Sequence, residues 1–140
     1  QRFATPDSRF GIPAAKLGLG YEYEGLSKLA RLVGPSRARD IMFSGRFMQA
    51  SEAQEMGLIN FIEERTEIEA ACIDYTTTIA GNAPLTVRAA KVAINAWERG
   101  SRNDEVEQVR AMVDACFDSE DYREGRKAFA AKRKPEFKNR

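Results

Sequence analysis

The sequence predicts a mainly α-helical chain with a frayed β edge, about seven helices and two or three short strands. Three observations lead there. From Leu26 onward, apolar residues recur three and four apart in one segment after another, and a glycine or proline bounds nearly every segment. Strand-like patterning is confined to residues 1–12 and 58–62. So little β structure cannot make a stable sheet by itself, so partner strands are expected upstream of Gln1.

The elements follow in order. Phe3 and Phe10 flank a turn at Asp7-Ser8, with Ile12 continuing the second arm. A glycine-rich segment comes next. Leu26, Leu29, Ala30 and Val33 then mark a helix ended by Gly34, and Pro35 opens another that carries Ala38, Ile41 and Met42 inward until Gly45. Ser51 with Gln54 reads as a capping box for a short helix ending at Gly57. Leu58, Ile59, Phe61 and Ile62 read as a buried strand. Thr66 with Glu69 reads as a second capping box, opening a helix with inner face Ile68, Ala71, Cys72, Tyr75 and Ile79. Pro84 starts a helix bearing Leu85, Ala89, Val92 and Ala96. Asn103 is the expected cap of the next, with its stripe of Val106, Val109, Val113, Cys116 and Phe117. Ser119 caps the last helix, which carries Tyr122 and Phe129 and stops by Pro135.

Composition excludes several classes. The 140 residues are the size of one ordinary domain, and 22 basic against 21 acidic side chains create no global field that would draw in nucleic acid. No apolar run approaches the roughly 20 residues of a membrane helix, so no membrane partner is expected. The opening QRFATPDS lacks the layout of a secretory signal, and without an initiator Met it reads as part of something longer. Cys72 and Cys116 sit on apolar helical stripes, as buried free thiols of a cytoplasmic protein would. There is no histidine, which removes imidazole triads and histidine-ligated zinc and leaves carboxylates, Lys, Tyr and backbone groups for any chemistry. No metal is expected.

Three stretches invite a functional reading. RFGIPAAKLGLG, residues 9–20, resembles an irregular pocket wall, yet it has no charge between Arg9 and Lys16 and no dinucleotide fingerprint. Its other reading is a structural loop that lets backbone pass closely under other elements. Glu22 and Glu24 bracket Tyr23. They are candidates for proton transfer, or solvated carboxylates ahead of a helix N-terminus. Lys132-Arg133-Lys134 complements a helix C-terminus, or binds a phosphate-bearing ligand with Phe129 stacking on a planar ring.

Together, RFGIPAAKLGLG, then LARLVGPSRARDIMFSGRFMQASEAQEMGLIN, then SEDYREGRKAFAAKRKPEF resemble, in order and spacing, the C-terminal half of enoyl-CoA hydratases and isomerases, the crotonase superfamily. The resemblance rests on the combination and covers essentially the whole chain. It implies the α/β crotonase-like (ClpP/crotonase) spiral fold. Residues 1–62 would end the spiral core and carry the substrate-pocket wall, and 63–140 would form a helical region for oligomerisation and CoA binding. It implies an acyl-CoA substrate and a homo-oligomer, trimer or hexamer. No cofactor is implied beyond the coenzyme A of the substrate. The chemistry implied is an enolate held by two backbone N–H groups, which together with one of the two hydratase glutamates would lie upstream of Gln1.

Hydratases read "FGQPE" where this chain has Pro13 and Ala14, so the second catalytic glutamate is missing and simple hydration is not expected. Some sister enzymes place a catalytic aspartate eight residues later, where Glu22 stands. The resemblance thus makes Glu22 the catalytic candidate, Pro13, Ala14 and Leu17 the pocket wall, and Phe129 and Lys132 the contacts to CoA. The competing reading is a non-catalytic helical assembly module or degenerate family member, which Ala14 also suits.

Overall fold

The computed structural model describes residues 1–140 as two compact units, Gln1–Ile73 and Asp74–Arg140. The first holds β1 (Phe3–Ala4), β2 (Arg9–Phe10), α1 (Ala14–Leu17), α2 (Tyr23–Val33), α3 (Pro35–Ser44), β3 (Met48–Gln49), α4 (Ala50–Glu55) and β4 (Phe61–Ile62). Helix α5 (Ile68–Ala80) spans the boundary, and α6 (Pro84–Arg99), α7 (Asn103–Asp118) and α8 (Glu120–Ala130) make the second unit.

All four strands are two residues long, and they pair across sequence. β1 runs parallel to β4, with Phe3 opposite Phe61 and Ala4 opposite Ile62, and the two phenylalanine rings stack with centroids 4.7 Å apart. β2 runs antiparallel to β3, with Arg9 opposite Gln49 and Phe10 opposite Met48. The expected turn forms, the Ser8 N–H donating to the Thr5 carbonyl at 2.9 Å. Its arms do not pair with each other, however. Each finds a remote partner instead, and Ile12 lies outside any strand.

The first unit's core is Ala4, Val33, Ala38, Ile41, Met48, Ala50, Ala53, Met56 and Ile59. Four of these nine are alanines, and Ile41 and Met48, the largest fully buried side chains, supply much of the apolar burial. Met48→Ala is expected to destabilise the protein by about 2–4 kcal/mol, because β3 cannot collapse into the cavity without losing its register on β2. The midpoint of urea unfolding measures this, and a change under about 0.5 kcal/mol would refute it.

Several helix ends depart from expectation. Gln49, not Ser51, is the N-cap of α4, and no side chain caps it. Helix α5 is entered by a turn in which the Glu67 and Ile68 N–H groups donate to the Glu64 carbonyl, and none of its residues is buried. Cys72 and Cys116 are not joined in a disulfide, and both are half-buried. Arg102 occupies the N-cap of α7 in place of Asn103, and its N–H donates to the Glu105 carboxylate at 3.2 Å. Ser119 does cap α8, its Oγ accepting from the Tyr122 N–H at 3.0 Å and donating to the Cys116 carbonyl at 2.6 Å. Pro135 lies beyond the end of α8 at Ala130.

Arg46 ties α3 to α4. Its guanidinium donates to Asp40 Oδ2 at 2.6 Å and to both carboxylate oxygens of Glu52, and it holds both carboxyls below the usual carboxylate range. The group is half exposed, so it adds less to stability than to placing the loop that carries the Arg46 carbonyl. That carbonyl lies close against Gly11.

Candidate functional site

The candidate residues form two groups, one in each unit. In the first, β2 leads into Gly11, where a Cβ would sit 2.6 Å from the Arg46 carbonyl oxygen and 3.0 Å from the Phe47 ring. The structural-loop reading holds at Gly11 alone, by close approach of Arg46 and Phe47; at Gly18 and Gly20 a Cβ would meet nothing within 4 Å, and residues 14–17, between Gly11 and Gly18, are helical. Pro13 is the N-cap of α1, and Ala14, only 2% exposed, is its first residue. The Ala14 carbonyl accepts from Leu19 N–H at 3.0 Å and from Gly18, which turns the chain at φ +67°. Leu17 ends α1 and is exposed.

Glu22 is the N-cap of α2, in extended conformation (φ −68°, ψ 150°), exposed and making no side-chain capping bond. Glu24 sits in the first turn, also exposed. Both are favoured there by the helix dipole. The same unit holds an open, largely apolar cleft of about 340 Å³ walled by Ala15 and Leu19, by Leu26 and Ala30 of α2, and by Met42 and Phe43 of α3, and neither Glu22 nor Glu24 lines it. Pro13, Ala14 and Leu17 adjoin this wall in sequence without forming it. The period-three-and-four spacing that located α2 and α3 also marks Leu26, Ala30 and Met42. Ala15 and Leu19 could be found only once α1 was seen to be a helix.

The second group is at the end of α8. Phe129 is 88% exposed, and it borders an apolar cleft of about 640 Å³ walled also by Val109, Val113, Phe117, Tyr122 and Phe137. Helix α8 stops by three bonds: Ala131 N–H to the Lys127 carbonyl (3.0 Å), Lys132 N–H to Phe129 (3.1 Å) and Arg133 N–H to Ala128 (3.0 Å). This places Lys132 in the left-handed region, φ +52°, a position that usually falls to glycine.

Beyond Lys132 the chain folds back along α8. Arg133 makes a two-pronged ion pair with Glu124 at 2.6 and 2.9 Å, and Glu124 also accepts from the Glu136 N–H at 3.0 Å. Asp121, 2% exposed, accepts from the N–H groups of Lys138 (2.6 Å) and Asn139 (2.8 Å). The Asp121 N–H donates to the Arg140 carbonyl at 3.0 Å.

The Arg133 guanidinium, with the Glu136 N–H, pulls the Glu124 carboxyl down to about 2. A depressed acid contributes stability above its unfolded value, here 4.5, and loses it as pH falls through the folded value. The returning tail is therefore expected to stay docked down to about pH 4.5 and to loosen between there and about pH 2. Exchange of the Glu136 amide, followed by NMR across that window, checks it. Protection that does not change would refute it. Nowhere do three His, Cys, Asp or Glu side chains converge as a metal site would need, and no helix is long and apolar enough to cross a membrane.

Comparison with known proteins gives a consistent answer. The family profile described as enoyl-CoA hydratase/isomerase matches residues 2–140. A short-chain-enoyl-CoA hydratase of Clostridium acetobutylicum is 36% identical over 143 residues, covering 99% of this chain and 54% of the relative. A methylmalonyl-CoA decarboxylase of Escherichia coli is 31% identical over 136 residues, covering 96% of this chain and 52% of the relative. The crystal structure of an enoyl-CoA hydratase from Bacillus anthracis superposes with a TM-score of 0.86 at 29% identity, covering 99% of this chain and 54% of that one. The chain thus spans about half the length of these relatives.

Proposed function

The chain belongs to the enoyl-CoA hydratase/isomerase family, and from that premise we propose that it is the CoA-holding, proton-transferring half of an enzyme that stabilises an acyl-CoA enolate. In this reading two backbone N–H groups from the half of the relatives' length outside these 140 residues hold the thioester oxygen. Phe129 stacks on the adenine ring and Lys132 meets a phosphate of CoA. Glu22 moves the proton. The unit works in a homo-oligomer, a trimer or hexamer.

The observation that carries the reaction type is Ala14. It is buried at the first residue of α1, where a hydratase would carry its second glutamate. A methyl group cannot activate water, and no other acid lies between Arg9 and Lys16. Isomerisation or decarboxylation needs the enolate but no activated water, and the E. coli relative named for a decarboxylation has similar sequence over 96% of this chain. Incubating the full-length protein with butyryl-CoA in D₂O tests this directly. Exchange of the α-hydrogens is expected, with negligible hydration of crotonyl-CoA.

Large exposed apolar side chains, among them Phe43 at 75% and Trp97 at 69%, favour a second reading, a helical assembly module without catalysis. Absence of α-exchange, together with self-association in sizing chromatography, would select it.

A further inference from the structure

We propose that Asp121 and Glu124 are positioning residues that hold Lys132, by way of the folded-back tail, in the orientation in which its ammonium meets CoA. This rests on the reading that Lys132 and Phe129 contact CoA, and it adds what keeps them in place.

The starting point is a conflict. Lysine is disfavoured in the left-handed region because its Cβ crowds the neighbouring carbonyl, and such a residue persists only when its surroundings over-determine it. Lys132 at φ +52° is held from both sides. On the helix side are the three bonds that close α8 onto the Lys127, Ala128 and Phe129 carbonyls. On the tail side, the very next residue is locked by its two-pronged pair to Glu124, nine residues back on α8. Two further turns of chain are then secured, Glu136 on Glu124 and Lys138 with Asn139 on buried Asp121.

The lock also has a steric part. The Phe137 ring lies 3.5 Å from where a Cβ on Gly125 would be, so the tail seats against the helix where the helix has no side chain. Gly125 stands between the two clamping carboxylates' helical turn and Phe129, so helix, tail and the Lys132 corner form one closed loop.

The consequence concerns ligand binding. A free lysine at a fraying helix end spreads its ammonium over many rotamers and backbone states. Ordering it on binding opposes affinity. Here the backbone of Lys132 is already fixed, three residues beyond exposed Phe129 and just past the end of α8. Neither Asp121 nor Glu124 needs to touch the ligand, and like carboxylates at a phosphate they would repel it. Their acceptor capacity is spent on the tail's own N–H groups and on Arg133. They act through the chain.

The test is a double-mutant cycle on CoA binding by the full-length protein, read by titration calorimetry, with pantetheine, which lacks the nucleotide, as the comparison ligand. Lys132→Ala is expected to weaken CoA about tenfold, the loss of one charge-assisted phosphate contact, and to leave pantetheine unchanged. Glu124→Gln keeps the shape but loses the ion pair, and is expected to weaken CoA about fivefold with pantetheine again unchanged. In the Lys132→Ala background Glu124→Gln should cost nothing more, because its effect passes through Lys132. Asp121→Asn repeats the design. Should it prove too destabilised to titrate, Glu124→Gln alone decides, since that side chain is half-buried whereas Asp121 is fully so.

If Lys132→Ala leaves CoA binding unaltered, the CoA-contact reading itself falls, and this proposal with it. If Lys132→Ala weakens CoA but Glu124→Gln does nothing, lowers pantetheine binding equally, or adds fully to Lys132→Ala, the positioning role is overturned while the contact stands.

Discussion

Glu22→Gln is expected to lower the rate of enolate formation in the full-length protein by about a hundredfold or more, leaving affinity for CoA unchanged. Glu22 is the first acidic residue after Arg9, since residues 10–21 include none. It stands at the N-cap of α2 with an extended backbone and no side-chain capping bond, so its carboxylate is not committed to holding the helix. An N-cap that leaves its own side chain unused is a weak choice for stability, and substitution there should therefore change folding little. The amide of glutamine keeps the shape and removes the ability to accept a proton. A hundredfold loss corresponds to about 2.7 kcal/mol of transition-state stabilisation, within the range for one general acid–base group. The α-hydrogen exchange assay in D₂O reads it. The decisive pattern is a fall in exchange rate at constant Kd and constant thermal midpoint. Wild-type exchange in Glu22→Gln would return Glu22 to the role of a solvated helix-end carboxylate. The same variant in Glu24 should be silent, because Glu24 lies inside the first turn, facing elsewhere than its neighbour two residues back.

What could be read beforehand follows the range of the physics involved. Helices α2, α3 and α6 were legible because their apolar spacing and their ends at Gly34, Gly45 and Gly100 are local properties of the chain. Ser119 was legible for the same reason, since a hydroxyl three residues from an N–H needs no tertiary partner to bond it. The strand pairing was not. Two-residue strands have no period to read, and β3 exists because Met48 meets Phe10, thirty-eight residues away in sequence. The inner face expected for α5 is the side the structure covers, but only in part: Ile68, Ala71, Cys72 and Tyr75 are half-buried and Ile79 is exposed, because periodicity reports which face is covered and not how deeply. At the candidate site the lack of any acid between Arg9 and Glu22 is plain from the residues. The unusual backbone of Lys132 was hidden, since nothing about a lysine predicts φ +52°. It is bracketed by the bonds that close α8 and by those from Arg133 to Glu124 and from Lys138 and Asn139 to Asp121, none of which a local pattern announces.

The second large effect lies in the stretch that offers no acid or base at all. Gly11→Ala is expected to destabilise the protein by about 3 kcal/mol or more, whereas Gly20→Ala, nine residues later, should be neutral or slightly stabilising. The two glycines look alike in sequence and differ in surroundings. A methyl at Gly20 meets nothing within 4 Å and needs no unusual backbone, so its main effect is to restrict the unfolded chain. A methyl at Gly11 meets the Arg46 carbonyl oxygen at 2.6 Å, the Phe47 ring at 3.0 Å and the Phe47 Cα at 3.2 Å. The ring could rotate aside, but the carbonyl and the Cα are backbone, and that backbone is anchored by Arg46 to Asp40 on one side and Glu52 on the other. Relief must therefore come from moving β2 off β3 or from breaking the Arg46 hub. Either displaces Pro13 and Ala14 at the start of α1. Unfolding midpoints in urea should separate the two variants with opposite signs, and α-hydrogen exchange should fall in Gly11→Ala even below its unfolding transition. Equal stability of the two would mean that the α3–α4 loop yields freely, and Gly11 would then be no more than a linker residue. Adding Arg46→Ala supplies the remaining check. Once the hub no longer fixes the loop, the penalty of Gly11→Ala should shrink, a non-additivity expected of groups in direct contact.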